Sequence, residues 1–121
     1  MANYWKLFKR AKAFYFSLGK IKCPAWNGEE IIFDRRGFNH FLLKSKGKRP
    51  IPDQIRRFKL LFGVKDFIQH AKLVKSAEEH DMVKKTALQA LLYLENGKRI
   101  NIVVLKNAMG KRYFISIMDN E

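Results

Sequence analysis

The chain has 121 residues, 47% of them hydrophobic and ten of them Phe, which supplies one buried core and excludes a disordered segment. Its formal net charge of +14 is large for that length and points to a polyanion, nucleic acid first, with an anionic membrane or an acidic protein behind it. A single cysteine, Cys23, excludes an internal disulfide and fits a reducing, cytoplasmic setting, while the apolar runs fall short of the ~20 residues of a membrane span and no secretory segment is expected.

Residues 3–18 predict a helix. Tyr4, Phe8, Ala11, Tyr15 and Leu18 form one apolar stripe, Lys6, Lys9, Arg10 and Lys12 lie largely off it, and Gly19 is the stop. Such a helix caps a core; the same residues also suit a membrane-surface helix or a basic arm on RNA. Lys20 to Asn27 contains Pro24, and Asn27-Gly28 marks a turn. Glu30 to Phe33 is a short strand. Asp34 caps the next helix, which turns Phe38, Phe41 and Leu42 inward and sets His40 and Lys44 together on another face. Ser45 to Pro52 is a loop; with Lys44 it reads KSKGKRPIP and holds four cations. A basic loop with a glycine can wrap a phosphate or simply be solvated.

Pro52 or Asp53 opens a further helix with Ile55, Phe58, Leu61 and Phe62 on its apolar stripe and Arg56, Arg57 and Lys59 as its charged remainder. Gly63 breaks it, and Val64 to Ala71 adds a short helical piece. Lys72 to Ala77 suits a strand, and Glu78 to Asp81 an acidic surface loop. Thr86 to Glu95, Arg99 to Leu105 and Arg112 to Met118 then read as three strands, joined by the Asn96-Gly97 hairpin turn and by Asn107 to Gly110. The first of them is helix-like by propensity, but a tight hairpin turn follows it directly.

Hairpin register predicts Glu95 opposite Lys98 and Leu91 opposite Ile102. A four-residue second loop then sets Ile102 opposite Ile115 and Asn101 opposite Ser116. One face would carry Leu91, Tyr93, Ile100, Ile102, Val104, Tyr113, Ile115 and Ile117 toward the helices. The other would carry Arg99, Asn101, Arg112, Phe114 and Ser116, as a solvated side or a groove for an anionic strand.

The chemistry concentrates between Phe33 and Arg57. His40 stands there among Arg35, Arg36, Lys44, Lys46, Lys48, Arg49, Arg56 and Arg57, with Asp34 and Asp53 as the only acids. An imidazole among fixed cations suits a phosphate diester: it moves a proton while the cations hold the anion. His40, His70 and His80 have no Cys or carboxylate cluster at metal-site spacing, so no metal ligands and no cofactor are expected. His70 and Asp66 suit a surface helix pair.

The order F-x-x-x-G-x-N-H-(x)3-K, a basic loop, R-P, D-Q-x-x-R-F-x-L-L and a C-terminal K-R-I-x-I-V-V…G-K-R-Y-F-I-S-I-M-D resembles small bacterial and phage domains of the barnase/EndoU/colicin/RelE-like nuclease superfamily. The matching residues are Gly37, Asn39, His40, Lys44, Arg49, Gln54, Arg57, Phe58, Leu60 and Leu61, then Lys98 to Val104 and Lys111 to Asp119. The likeness covers residues 30–118 within a single domain, 1–121, and leaves the N-terminal helix, 1–19, outside it. One departure is Leu91-Leu92, where an aromatic pair is expected.

The resemblance implies an α+β domain, its N-terminal helices packed on a C-terminal antiparallel meander of three to four strands. It also implies metal-independent RNA cleavage, in which the 2′-hydroxyl attacks phosphorus and leaves a cyclic phosphate and a 5′-hydroxyl. On that basis His40 is the proton-transfer group, Arg49 and Arg57 hold phosphate charge, Lys44 tunes His40 and Ser116 positions the phosphate. Arg36, Lys46, Lys48, Arg99, Asn101 and Arg112 would contact the nucleic acid. The implied partners are tRNA or another structured RNA and an acidic immunity or antitoxin protein, for a toxin or a phage or mobile-element effector. The alternative is a non-catalytic nucleic-acid-binding module.

Overall fold

The structure is a computed structural model and describes residues 2–44, 47–81 and 85–119. It runs α1 (Ala2–Leu18), β1 (Lys20–Cys23), a 3₁₀ turn (Pro24–Trp26), β2 (Glu29–Ile32), α2 (Arg35–Leu42), the short strands β3 (Leu43–Lys44) and β4 (Gly47–Lys48), α3 (Ile51–Leu61), α4 (Val64–Gln69), β5 (Leu73–Asp81), β6 (Thr86–Glu95), β7 (Lys98–Lys106) and β8 (Arg112–Asp119). The class is α+β. Strands β5 to β8 form an antiparallel meander, and β1 and β2 extend it to a six-stranded sheet in the order β1-β2-β8-β7-β6-β5. The β2–β8 pair is parallel, with Ile31 opposite Arg112 and Ile32 opposite Tyr113. Among the described residues no helix is long and apolar enough to cross a membrane.

Three local expectations change. Lys20 to Asn27 is more than a turn: Lys20–Cys23 is an edge strand that buries Ile21 and Cys23 and exposes Lys20 and Lys22. Glu78 to Asp81 belongs to β5 and not to a loop. Its backbone pairs with β6 through two register shifts, and a sheet edge tolerates charge well. The basic loop folds back at Leu43↔Lys48 and Lys44↔Gly47, and α3 opens at Ile51. The helix-like sequence ALQALLYL is strand, because β6 is paired on both sides and pairing overrides propensity.

The β6–β7 register is the expected one, with Leu91 opposite Ile102 and Glu95 opposite Lys98. The β7–β8 register is not. Lys106 pairs with Arg112, so the loop has one residue more than expected, and every side chain in Arg112 to Phe114 changes face. Arg112 and Phe114 are therefore buried, and Tyr113 points outward. A β-bulge then intervenes: Val104 pairs with Phe114 but Val103 pairs with Ser116. The extra residue is Ile115. Beyond it the alternation is restored, and Ile102 faces Ile117 on the core side.

The core lies between the helices and this inner sheet face. α1 buries Tyr4, Ala11 and Tyr15 there. Tyr15 touches Phe33, Phe38, Phe41 and Phe114, and Phe41 stacks on both Phe58 and Phe114. The closest approach is at Gly37 in α2. A Cβ there would stand 2.2 Å from Tyr15 Oη and 2.6 Å from the Phe114 carbonyl oxygen. Cys23 is fully buried, and burial pushes its thiol pKa up.

Gly37→Ala is expected to cost about 3 kcal/mol, the upper part of the overpacking range, because one obstacle is backbone. Tyr15→Phe should not rescue it, since the Phe114 carbonyl remains. Thermal unfolding of the single and double variants checks this; parental stability of Gly37→Ala would refute the close packing.

Candidate functional site

The closeness of α2 to β8 forms the site. Asp34 caps the helix by accepting from Arg36 N at 3.1 Å, and Tyr15 Oη donates to the Asp34 carbonyl at 2.6 Å. With Phe38 and Phe41 inward, the opposite side of α2 presents Arg36, Asn39 and His40, continued by Leu43 and Lys44. These residues face Leu88, Leu105 and Ile115 of the sheet across a cleft of about 550 Å³. Its floor is apolar and its rim is cationic. The register set by the longer loop buries Phe114 and so turns Ile115, the next residue, toward the cleft.

A second set of groups holds the cleft from behind. Arg49 N donates to the Leu42 carbonyl, and Arg49 Nε donates to the His40 carbonyl at 2.6 Å. Arg49 and Arg57 both reach Asp53, each at 3.3 Å. Arg57 is 6% exposed and also donates to the Ile117 carbonyl at 3.1 Å. Gln54 is buried, donates to the Arg49 carbonyl and accepts from Tyr4 Oη. A continuous relay thus ties α1 to the backbone of His40 through Tyr4, Gln54 and Arg49.

His40 is exposed, yet its pKa lies below the ordinary 6.5. Partial desolvation against the protein is the main cause, followed by the positive charges of Arg49 and Arg57. Lys44, the residue expected to tune it, is not the source of that field. The consequence is a neutral, proton-accepting imidazole at neutral pH. Burial also lowers the Arg57 pKa, with Arg49 adding to the effect and Asp53 opposing it.

The sequence-predicted residues divide into groups. His40, Lys44 and Arg36 line the cleft together. Arg36 is exposed, pairs with Asp34 and lies 4.5 Å over the Tyr113 ring. Arg49 and Arg57 stand behind His40 with their guanidinium groups on protein acceptors. Lys48 is exposed on β4; Lys46 falls outside the described residues. Ser116 lies opposite Val103, next in sequence to Ile115 but outside the cleft lining. Asn101 faces Met118, and Arg99 is exposed opposite Leu94 near the hairpin turn. Arg112 turns inward, bonded to Gln89 and Glu29 and 4.3 Å over the Trp26 ring. The surface pair of His70 and Asp66 is present at 3.2 Å.

Asp53 and Tyr113 carry parts of the site that sequence reasoning did not assign, and Asn39 and Gln54, matched only as motif residues, gain a place on the cleft and in the support behind it. The spacing Arg49–Asp53–Arg57 is a double i,i+4 ladder and was a usable signal. Tyr113 was hidden by the one-residue register error. No protein-family model, curated protein or solved structure matches the chain.

The His40 ring should titrate below 6.5 in NMR, and Arg49→Ala should move its midpoint upward more than Lys44→Ala does. Equal shifts would contradict the assignment of the field. Arg57→Ala should cost about 2 kcal/mol of stability, because it strips donors from Asp53 and the Ile117 carbonyl, as denaturant unfolding can measure.

Proposed function

We propose that this domain is a metal-independent endoribonuclease whose reaction centre is the cleft between α2 and the outer sheet face. One observation carries the reading: a histidine depressed in pKa stands on the rim of an apolar cleft beside Arg36 and Lys44. The apolar floor of Leu88, Leu105 and Ile115 suits a base, and the cationic rim suits the adjoining phosphate. In this arrangement neutral His40 takes the 2′-hydroxyl proton as that oxygen attacks phosphorus. The bond from phosphorus to the 5′-oxygen breaks, a proton from solvent completes the 5′-hydroxyl, and a 2′,3′-cyclic phosphate remains. Arg36 and Lys44 stabilise the charge that builds on the phosphorane oxygens. Arg49 and Arg57 act from behind, by holding His40 in place and keeping it unprotonated.

The order of helices followed by a four-stranded meander supports the nuclease-superfamily resemblance, as does the placement of its Asn39, His40 and Lys44 along one cleft. Structured RNA is the proposed substrate, and an acidic inhibitor protein would complement the same charge in a toxin or a mobile-element effector. A specific observation favours a second reading, a nucleic-acid-binding module without turnover. The two arginines assigned to phosphate, Arg49 and Arg57, have their donors committed to Asp53 and to backbone carbonyls.

Incubation of the purified protein with total RNA in EDTA separates the two. Cleavage with cyclic phosphate ends is expected, and His40→Ala should lose roughly 10²–10⁴-fold in rate, the contribution of one positioned proton-transfer group. The acidic limb of the pH–rate profile should lie below 6.5 and rise in Arg49→Ala, because removal of a nearby cation favours the protonated imidazole. Salt-sensitive binding of RNA that stays intact across pH 5–9 would establish the binding module instead.

A further inference from the structure

The exposed side of α1 has no part in the cleft, and its residues form a pattern of their own. Trp5, Lys9, Lys12 and Phe16 recur at spacings of four, three and four, which sets them in one row along the helix. The two lysines are exposed; Trp5 is 56% exposed and Phe16 47% exposed. Neither ring is loose. Trp5 meets Tyr4 at 5.1 Å and Phe8 at 5.6 Å, and Phe16 meets Tyr15 at 5.2 Å and Phe38 at 5.6 Å. Each is held by the core beneath it and leaves part of its surface to solvent. The helix contains no Asp or Glu, so nothing within it neutralises the row.

We propose that this row is a second nucleic-acid site, a stacking platform for single-stranded RNA. Two aromatic rings that flank a pair of cations along a rigid element match a single strand: unpaired bases stack on the rings and the phosphates between them lie on the lysines. Trp5 and Phe16 are about 16 Å apart at the helical rise, room for a short run of nucleotides between the stacked ends. Phe16 touches Phe38 of α2, the helix that lines the cleft, so a strand leaving the platform meets the cleft-bearing helix. An anionic membrane fits less well. The continuous apolar stripe of α1 is spent on the core, and the two rings that remain are separated by lysines, where insertion needs an unbroken apolar face. The proposal does not depend on His40 being catalytic.

The test uses the full chain with His40→Ala, with oligouridylate as the probe and its integrity checked by gel after each titration. Trp26 is 8% exposed, which leaves Trp5 as the accessible indole. Oligouridylate should quench tryptophan fluorescence, and a duplex of equal length, whose bases are already stacked, should not. Trp5→Ala should lose the quenching and bind about tenfold more weakly, the loss of one stacked base. Lys9→Gln with Lys12→Gln touches only exposed groups and should flatten the logarithmic salt slope by roughly 1.4, at about 0.7 per phosphate. Unchanged oligouridylate affinity in both variants would overturn the proposal, as would equal quenching by duplex. So would a blue shift of Trp5 on phosphatidylserine vesicles without any response to oligouridylate, which would assign the row to a membrane.

Discussion

The missing side chain at Gly37 sets the geometry on which the rest depends. It lets the backbone of α2 settle against the Phe114 carbonyl with the Tyr15 hydroxyl alongside. Tyr15 in turn holds the Asp34 carbonyl at the start of the same helix, while Phe38 and Phe41 on either side of the contact fill the aromatic core. With α2 fixed at this height, Arg36 and His40 lie along the outer face of the sheet, and Lys44 follows them on β3. Core packing and site geometry are therefore one constraint. A helix displaced by a methyl group at position 37 would move the polar side of α2, with His40 on it, away from Leu105 and Ile115.

The charges of the site are arranged in two layers with different work. The inner layer is Arg49, Asp53 and Arg57, where one carboxylate serves two guanidinium groups and leaves a net positive charge behind His40. Desolvated charges interact more strongly than solvated ones, so this layer biases the histidine more than the exposed Lys44 does. The outer layer is Arg36 and Lys44 on the exposed rim, with Arg36 held by Asp34 and by the Tyr113 ring. Tyr4 and Gln54 attach the inner layer to α1, so the N-terminal helix belongs structurally to the same unit as the cleft.

Much of this was legible in the sequence because its signals are local. The stripe of α1, the Asp34 cap and the Asn96-Gly97 turn follow from periodicity and turn chemistry; Lys44 does reach the cleft with His40, but from β3 and not from a shared helix face, because α2 ends at Leu42. What failed depended on counting across a less regular connection. The loop after β7 runs from Asn107 to Lys111, with the Asn107 side chain accepting from both Met109 N and Lys111 N, and no two-residue turn signal fixed its length. One residue of error there reversed Arg112, Tyr113 and Phe114, and the bulge at Ile115 then restored the phase for Ser116 and Ile117. Charge patterning failed at Arg57 for a different reason. Its surroundings in sequence look like a solvated helix face, and only the tertiary contact with the Ile117 carbonyl accounts for its burial. Lys20–Cys23 was missed although its polar–apolar alternation is that of a half-buried strand, because Pro24 just beyond it drew the segment into a turn.

The central claim is that the cleft beside His40 performs in-line attack by a ribose 2′-hydroxyl. The most direct measurement uses an otherwise 2′-O-methylated oligonucleotide with a single free ribose, in EDTA, with product ends identified by mass spectrometry. The account predicts one cut, at the phosphate following that ribose, with a cyclic phosphate end and no cut in the fully methylated strand. Cleavage of the fully methylated strand, or tight binding of the single-ribose strand with no cut at all, would contradict it.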